Sequence, residues 1–139
     1  KRQKFKRKIM ITLYYGTSDI SSKRAKRWFE ETGIEVQMKK INEMSKEDLS
    51  QILFLSEKGF SDILKNANRT GVHSDQLLSE CRELSFNEAL DFVLRNLEVL
   101  RLPLVFDARR LMIGFNEDEI RQFIPQSYRR MKLKSVLLE

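Results

Sequence analysis

Cysteine and histidine are almost missing from this 139-residue chain, which has one of each, Cys81 and His73. A single thiol excludes an intramolecular disulfide and a thiolate cluster around a metal. A single imidazole removes most zinc-site and histidine-base chemistry. No cofactor is expected from such a set. Glycine and proline are scarce, at five and two residues, and no low-complexity segment or internal repeat interrupts the chain. No apolar run approaches the roughly 20 residues that span a bilayer. The start lacks the basic, apolar, small-residue order of a secretory signal. The expectation is a soluble cytoplasmic protein with no membrane partner, and a 41% hydrophobic content suits one core.

The net charge of +6 invites a nucleic-acid reading until its location is considered. Lys1, Arg2, Lys4, Lys6, Arg7 and Lys8 supply all of it, leaving 20 basic residues against 20 acidic ones beyond Lys8. The overall charge therefore says little about a DNA-binding face. Short charge runs are ordinarily solvated tails; a contact with nucleic acid or an acidic partner is the other reading of this arm.

The segment Lys8–Tyr15 is apolar and β-branched, and Gly16-Thr17-Ser18-Asp19 supplies turn chemistry after it. Ala25, Trp28 and Phe29 then recur at helical spacing within Ser21–Thr32, with Gly33 as a stop. Ile34, Val36 and Met38 alternate with Glu35, Gln37 and Lys39, so a second strand runs over Ile34–Ile41. Strand, helix and strand make a βαβ unit with parallel strands.

The middle reads as helical. Ser45 with Asp48 resembles a capping box ahead of Leu49, Ile52, Leu53 and Leu55, with the helical period running up to Gly59. Further helices are expected near Ser61–Asn66, over Ser74–Cys81, and over Ser85–Asn96, where Ser85 and Glu88 form a capping box. Pro103–Phe106 and Leu111–Gly114, joined by Asp107–Arg110, have hairpin spacing. Asn116 caps a last helix over Glu117–Ile124, with Glu119 completing its capping box and Pro125 just beyond.

This order, βαβ, helices, ββα, predicts an α/β thioredoxin-like fold with a mixed four-stranded sheet and an all-helical insertion. Local strings sharpen it: Met10–Tyr14, Ala25 with Trp28, Glu30 and Glu31, Gln51-Ile52-Leu53 before Gly59, and above all Gly114-Phe115-Asn116-Glu117-Asp118-Glu119-Ile120-Arg121 ahead of Phe123 and Pro125. On these the chain resembles the Spx and arsenate-reductase-like (ArsC) family from Lys8 to Arg130. The expected layout is a basic arm at 1–9, a single domain at 10–125 with its helical insertion at about 45–98, and a tail at 126–139.

The family's chemistry sits where the first strand turns into the first helix, with a Cys-x-x-Cys pair in Spx or a single catalytic cysteine in the reductases. The resemblance places Asp19 and Ser22 at the two cysteine positions. A carboxylate cannot attack arsenate or a disulfide as a thiolate does, so thiol chemistry is excluded at this turn. The family's Arg-Pro reads Leu102-Pro103 here, with Arg101 one residue earlier. The oxyanion arginine expected after Gly59 is also out of register, with Ala67 near the matching place and Arg69 two residues on. The resemblance further implies a cis bond before Pro103. It does not favour an enzyme.

What survives is the Spx surface for the C-terminal domain of the RNA polymerase α subunit. Here it would comprise Gly59, Lys58, Glu57 and Phe54 from the insertion, Asp19 and Ile20 from the degenerate redox turn, and Arg101. Contact with promoter DNA would follow through the polymerase complex. The resemblance thus implies a redox-inactive regulator of transcription in the stress response. A noncatalytic arsenate-reductase-like adaptor for another protein partner is the alternative.

Plainer readings stand beside these. Asp19 is a strong helix N-cap, and Gly59 suits a helix C-cap. Ser18, Ser21 and Ser22 have no base near in sequence and read as caps rather than nucleophiles. Cys81, with Leu77, Leu78 and Leu84 nearby, reads as a small core residue rather than a sensor. His73 is expected to be exposed before a cap at Ser74. Lys23, Arg24, Lys26 and Arg27 read as a solvated helix face, with an acidic polymerase surface or promoter phosphates as the sharper alternative.

Overall fold

The computed structural model describes residues 10–65 and 73–125. The first strand, β1 (Ile11–Tyr15), leads through the Gly16–Asp19 turn into helix α1 (Ile20–Thr32) and strand β2 (Val36–Lys40). Gly33 ends α1 in the left-handed conformation, φ 73°, with its N–H donated to the Phe29 carbonyl at 3.0 Å. Helices α2 (Lys46–Leu55), α3 (Phe60–Ile63), α4 (His73–Arg82) and α5 (Phe86–Leu94) follow, and β3 (Leu104–Phe106) and β4 (Leu111–Ile113) close the sheet. Short 3-10 segments lie at Ile41–Glu43, Leu97–Val99 and Glu119–Phe123.

The sheet order is β2-β1-β3-β4, with β1 parallel to β2 and the other pairs antiparallel. This is the mixed thioredoxin-like sheet that the element order predicts. Alternation along each strand sends side chains to two cores. Ile11 and Leu13, Val105 and Met112 join Ala25 and Phe29 of α1 with Ile120 and Phe123. Tyr14, Leu104 and Phe106 join Leu49, Ile52 and Leu53 of α2 with Ala89, Leu90 and Val93 of α5. Both faces are thereby covered, which suits strands as apolar as β1 and β3.

Local expectations meet different fates. Ser45 caps α2 through Asp48 N at 3.0 Å, and Ser85 with Glu88 forms a full capping box on α5. The Asp48 carboxylate does not turn back to the cap. It accepts the Tyr14 hydroxyl at 2.5 Å and faces Lys39 Nζ at 3.5 Å, tying the sheet to the insertion. Gly59 is not a C-cap: α2 ends at Leu55 with Ser56 as its cap, and Gly59 opens α3. The last helix is a 3-10 turn over Glu119–Phe123 rather than Glu117–Ile124, although Asn116 Oδ1 still accepts Asp118 N at 2.8 Å and Glu119 N at 2.9 Å. Helix α4 opens at His73, one residue before the expected cap Ser74. The side chains of both lie outside the described residues, as do the basic arm, Ala67, Arg69 and the tail.

Candidate partner-binding surface

The turn after β1 is organised by three residues. Asp19, in extended backbone, is the N-cap of α1. Its Oδ2 accepts both Ser22 N and Ser22 Oγ at 2.7 Å, while Ser22 Oγ accepts Gly16 N at 3.2 Å. Ser22 is fully buried. A negative charge here meets unpaired N–H groups and the positive end of the helix dipole. The two positions that the resemblance assigns to cysteines are thus bonded to each other, with a fixed carboxylate where a thiolate would stand.

Across from this turn lies the segment Arg101-Leu102-Pro103, whose Leu102–Pro103 bond is cis as the resemblance predicts. Leu102 Cδ1 lies 3.0 Å from where a Cβ on Gly16 would sit. Sequence reasoning did not single out Gly16, whose missing side chain admits Leu102. An apolar side chain therefore packs against the turn from the position to which the resemblance assigns the oxyanion arginine.

Arg101 points the same segment toward the insertion. Its N–H donates to the Ile63 carbonyl at 2.8 Å and its Nη1 to the Asp62 carbonyl at 3.2 Å. Asp62 in turn accepts Glu57 N at 3.0 Å and Lys58 N at 2.8 Å, and Gly59 N donates to Ser56 Oγ at 3.0 Å. Gly59 has φ 66° and ψ −132°, and a Cβ built there meets nothing within 4 Å. The glycine is required by its backbone, and the space beside it is free, which leaves room for another chain to approach. Arg101 therefore joins Glu57, Lys58 and Gly59 in one bonded group, and Leu102 links that group to the Asp19 turn.

Ile20, next to Asp19, is 73% exposed, and Phe54, on the last turn of α2, is 81% exposed. They are the most exposed of the four large apolar side chains at the surface of the described residues, Met10 and Phe86 being the others. Ile20 adjoins Asp19 in the chain, and Phe54 stands three residues before Glu57.

The basic face of α1 is partly engaged. Arg24 pairs with Glu117 at 3.1 Å and lies over the Phe115 ring, and Lys26 lies over the Tyr15 ring. Cys81 is buried in the insertion core, and burial first, then the neighbouring Glu80 charge, pushes its thiol above the ordinary range. That suits a core residue rather than a reactive thiolate. Among the described residues no group of three or more histidine, cysteine, aspartate or glutamate side chains is arranged to hold a metal ion.

The ArsC family model matches residues 14–123. This chain belongs to the ArsC family. Within it, similarity extends to proteins named global transcriptional regulator Spx. The protein of that name from Streptococcus agalactiae is 34% identical over 131 residues, covering 93% of each chain. Spx 2 of Bacillus anthracis is 38% identical over 122 residues, covering 86% of this chain and 91% of the relative. Among solved structures, an ArsC family related protein from Bacteroides fragilis superposes with a TM-score of 0.65 at 20% identity, covering 82% of this chain and 97% of its own. At that identity the likeness speaks for the fold alone. No helix among the described residues of this ArsC-family chain is long and apolar enough to cross a membrane.

Proposed function

We propose that this ArsC-family chain is a Spx-like transcriptional regulator that binds the C-terminal domain of the RNA polymerase α subunit and does so without a thiol switch. The observation that carries the reading is the Gly59 loop, open to solvent, glycine-dependent in its backbone, and bonded through Asp62 to Arg101 beside the Asp19 turn. The relatives named as transcriptional regulators, matched over nearly their whole length, support the same reading. Asp19 keeps its negative charge whether the surroundings are reducing or oxidising, so the surface would hold one electrostatic state. The hydrogen-bonded Asp19–Ser22 pair and the apolar Leu102 argue against a reductase.

Calorimetric titration of the full chain with the isolated α C-terminal domain, in reducing and oxidising buffer, tests this. Micromolar or tighter binding, abolished by Gly59→Arg and indifferent to oxidant, is the expected result. Absence of binding in both buffers overturns the reading and leaves an adaptor for another protein in its place.

A further inference from the structure

We infer that Asp62 is a positioning residue for this surface: its carboxylate holds two consecutive backbone N–H groups and so keeps the Gly59 loop in the shape that meets a partner. The inference rests on the partner reading above. Asp62 is the third residue of α3, and its Oδ2 reaches back over the loop to Glu57 N and Lys58 N. The next N–H, of Gly59, goes to Ser56 Oγ. Three successive N–H groups thus point to side-chain acceptors instead of water.

Two further bonds lock the clamp itself. Asp62 N donates to the Gly59 carbonyl at 3.0 Å, and the Asp62 carbonyl accepts Arg101 Nη1. Hydrogen bonds to an ionised acceptor are roughly twice as strong as neutral ones. The loop needs them, because glycine has more backbone freedom to lose than any other residue, so Gly59 stays in one conformation only when its surroundings fix it. Without the carboxylate, Glu57, Lys58 and Gly59 regain conformations that do not match the partner, and apparent affinity falls with the fraction of competent loops. Asp62 therefore sets affinity without being a contact residue.

The test compares wild type, Asp62→Ala and Asp62→Asn in the full chain, using backbone amide NMR and titration with the α C-terminal domain. In Asp62→Ala, the Glu57 and Lys58 amides should lose exchange protection and shift upfield, while those of β1 and β3 stay put. Affinity should drop by about tenfold, chiefly through slower association, as expected when fewer loops are competent. Asp62→Asn keeps an acceptor oxygen without the charge and should bind within about threefold of wild type. Unchanged Glu57 and Lys58 amides in Asp62→Ala overturn the clamp, as does wild-type affinity with altered amides. A wild-type chain that does not bind overturns the partner reading instead, and the amide comparison then decides the clamp alone.

Discussion

The Asp19 carboxylate and the Ser22 hydroxyl meet at 2.7 Å at the N-terminus of α1, joining the two positions at which the resemblance places a redox pair. Side chains that touch here already have the separation along the chain that a Cys-x-x-Cys disulfide uses. The double variant Asp19→Cys with Ser22→Cys should therefore form an intramolecular disulfide on mild oxidation, detected by loss of titratable thiols in the monomer. Persistence of both thiols under the same oxidant would show that the turn is shaped for the carboxylate and not for the bridge. The single variant Asp19→Ala should cost about 1 kcal/mol through loss of the cap, read as a lowered urea midpoint.

Tyr14 carries a pH prediction. Its hydroxyl donates to Asp48, and burial first, then that bond and the Asp48 charge, push its pKa well above the ordinary tyrosine range. A folded-state pKa raised above the unfolded value means that the native state keeps a proton the unfolded state releases. The stabilisation is therefore whole below about pH 10 and declines as pH rises beyond it. Urea unfolding of wild type at pH 8 and pH 11 should show a larger alkaline loss than Tyr14→Phe shows over the same span. At pH 8 the variant should be about 1–2 kcal/mol less stable, since Asp48 loses a buried partner.

How much of this was legible beforehand depends on the range of the interaction. The βαβ order, the Ser45 and Ser85 caps and the 107–110 hairpin follow from periodicity and capping within a few residues, and the structure holds them. The cis bond before Pro103 came from the resemblance instead. What local pattern misjudged was decided by distant residues. Asp48 looks like a capping-box acid, but Tyr14, 34 positions away, captures its carboxylate. Gly59 looks like a helix stop, yet Ser56 has already ended α2. Asp107 drew no reading beyond its place in the hairpin; it is buried, with Arg110 paired to it at 2.7 Å and lying over the distant Phe123 ring. The site shows the same division: Asp19 capping is local, whereas the Asp62–Arg101 link spans 39 positions and left no sequence signal.

The Asp107–Arg110 pair can be measured. Asp107 accepts Arg109 N, Arg110 N and the Arg110 guanidinium, so its removal strips four donors at once. Asp107→Ala should destabilise the chain by about 2 kcal/mol in urea titration, since four donors lose a charged acceptor while the Arg110 guanidinium, 35% exposed, still reaches water. A loss under about 1 kcal/mol would mean that water replaces the carboxylate at the β3–β4 hairpin.

Two glycines of different geometry separate backbone need from surface need. Gly33 sits at φ 73° and ψ 9°, in the left-handed region that other residues enter at modest cost. Gly59, at φ 66° and ψ −132°, lies where residues with a Cβ scarcely go. Neither would collide with a neighbour on gaining a Cβ. Gly33→Ala should therefore cost about 1 kcal/mol and Gly59→Ala about 1–3 kcal/mol, or else the loop around Gly59 moves to a new shape. Stability alone does not decide between those two outcomes at Gly59, but binding does. A strained but unmoved loop keeps the partner affinity, whereas a moved loop loses it while regaining stability. Phe54→Ser supplies the complementary measurement, because Phe54 is 81% exposed and its removal opens no cavity. It should leave the urea midpoint within about 0.5 kcal/mol of wild type and still weaken binding to the α C-terminal domain by tenfold or more, as a buried aromatic anchor at an interface would. Unaltered affinity in Phe54→Ser would remove the end of α2 from the surface and confine it to the Gly59 loop, Arg101 and the Asp19 turn.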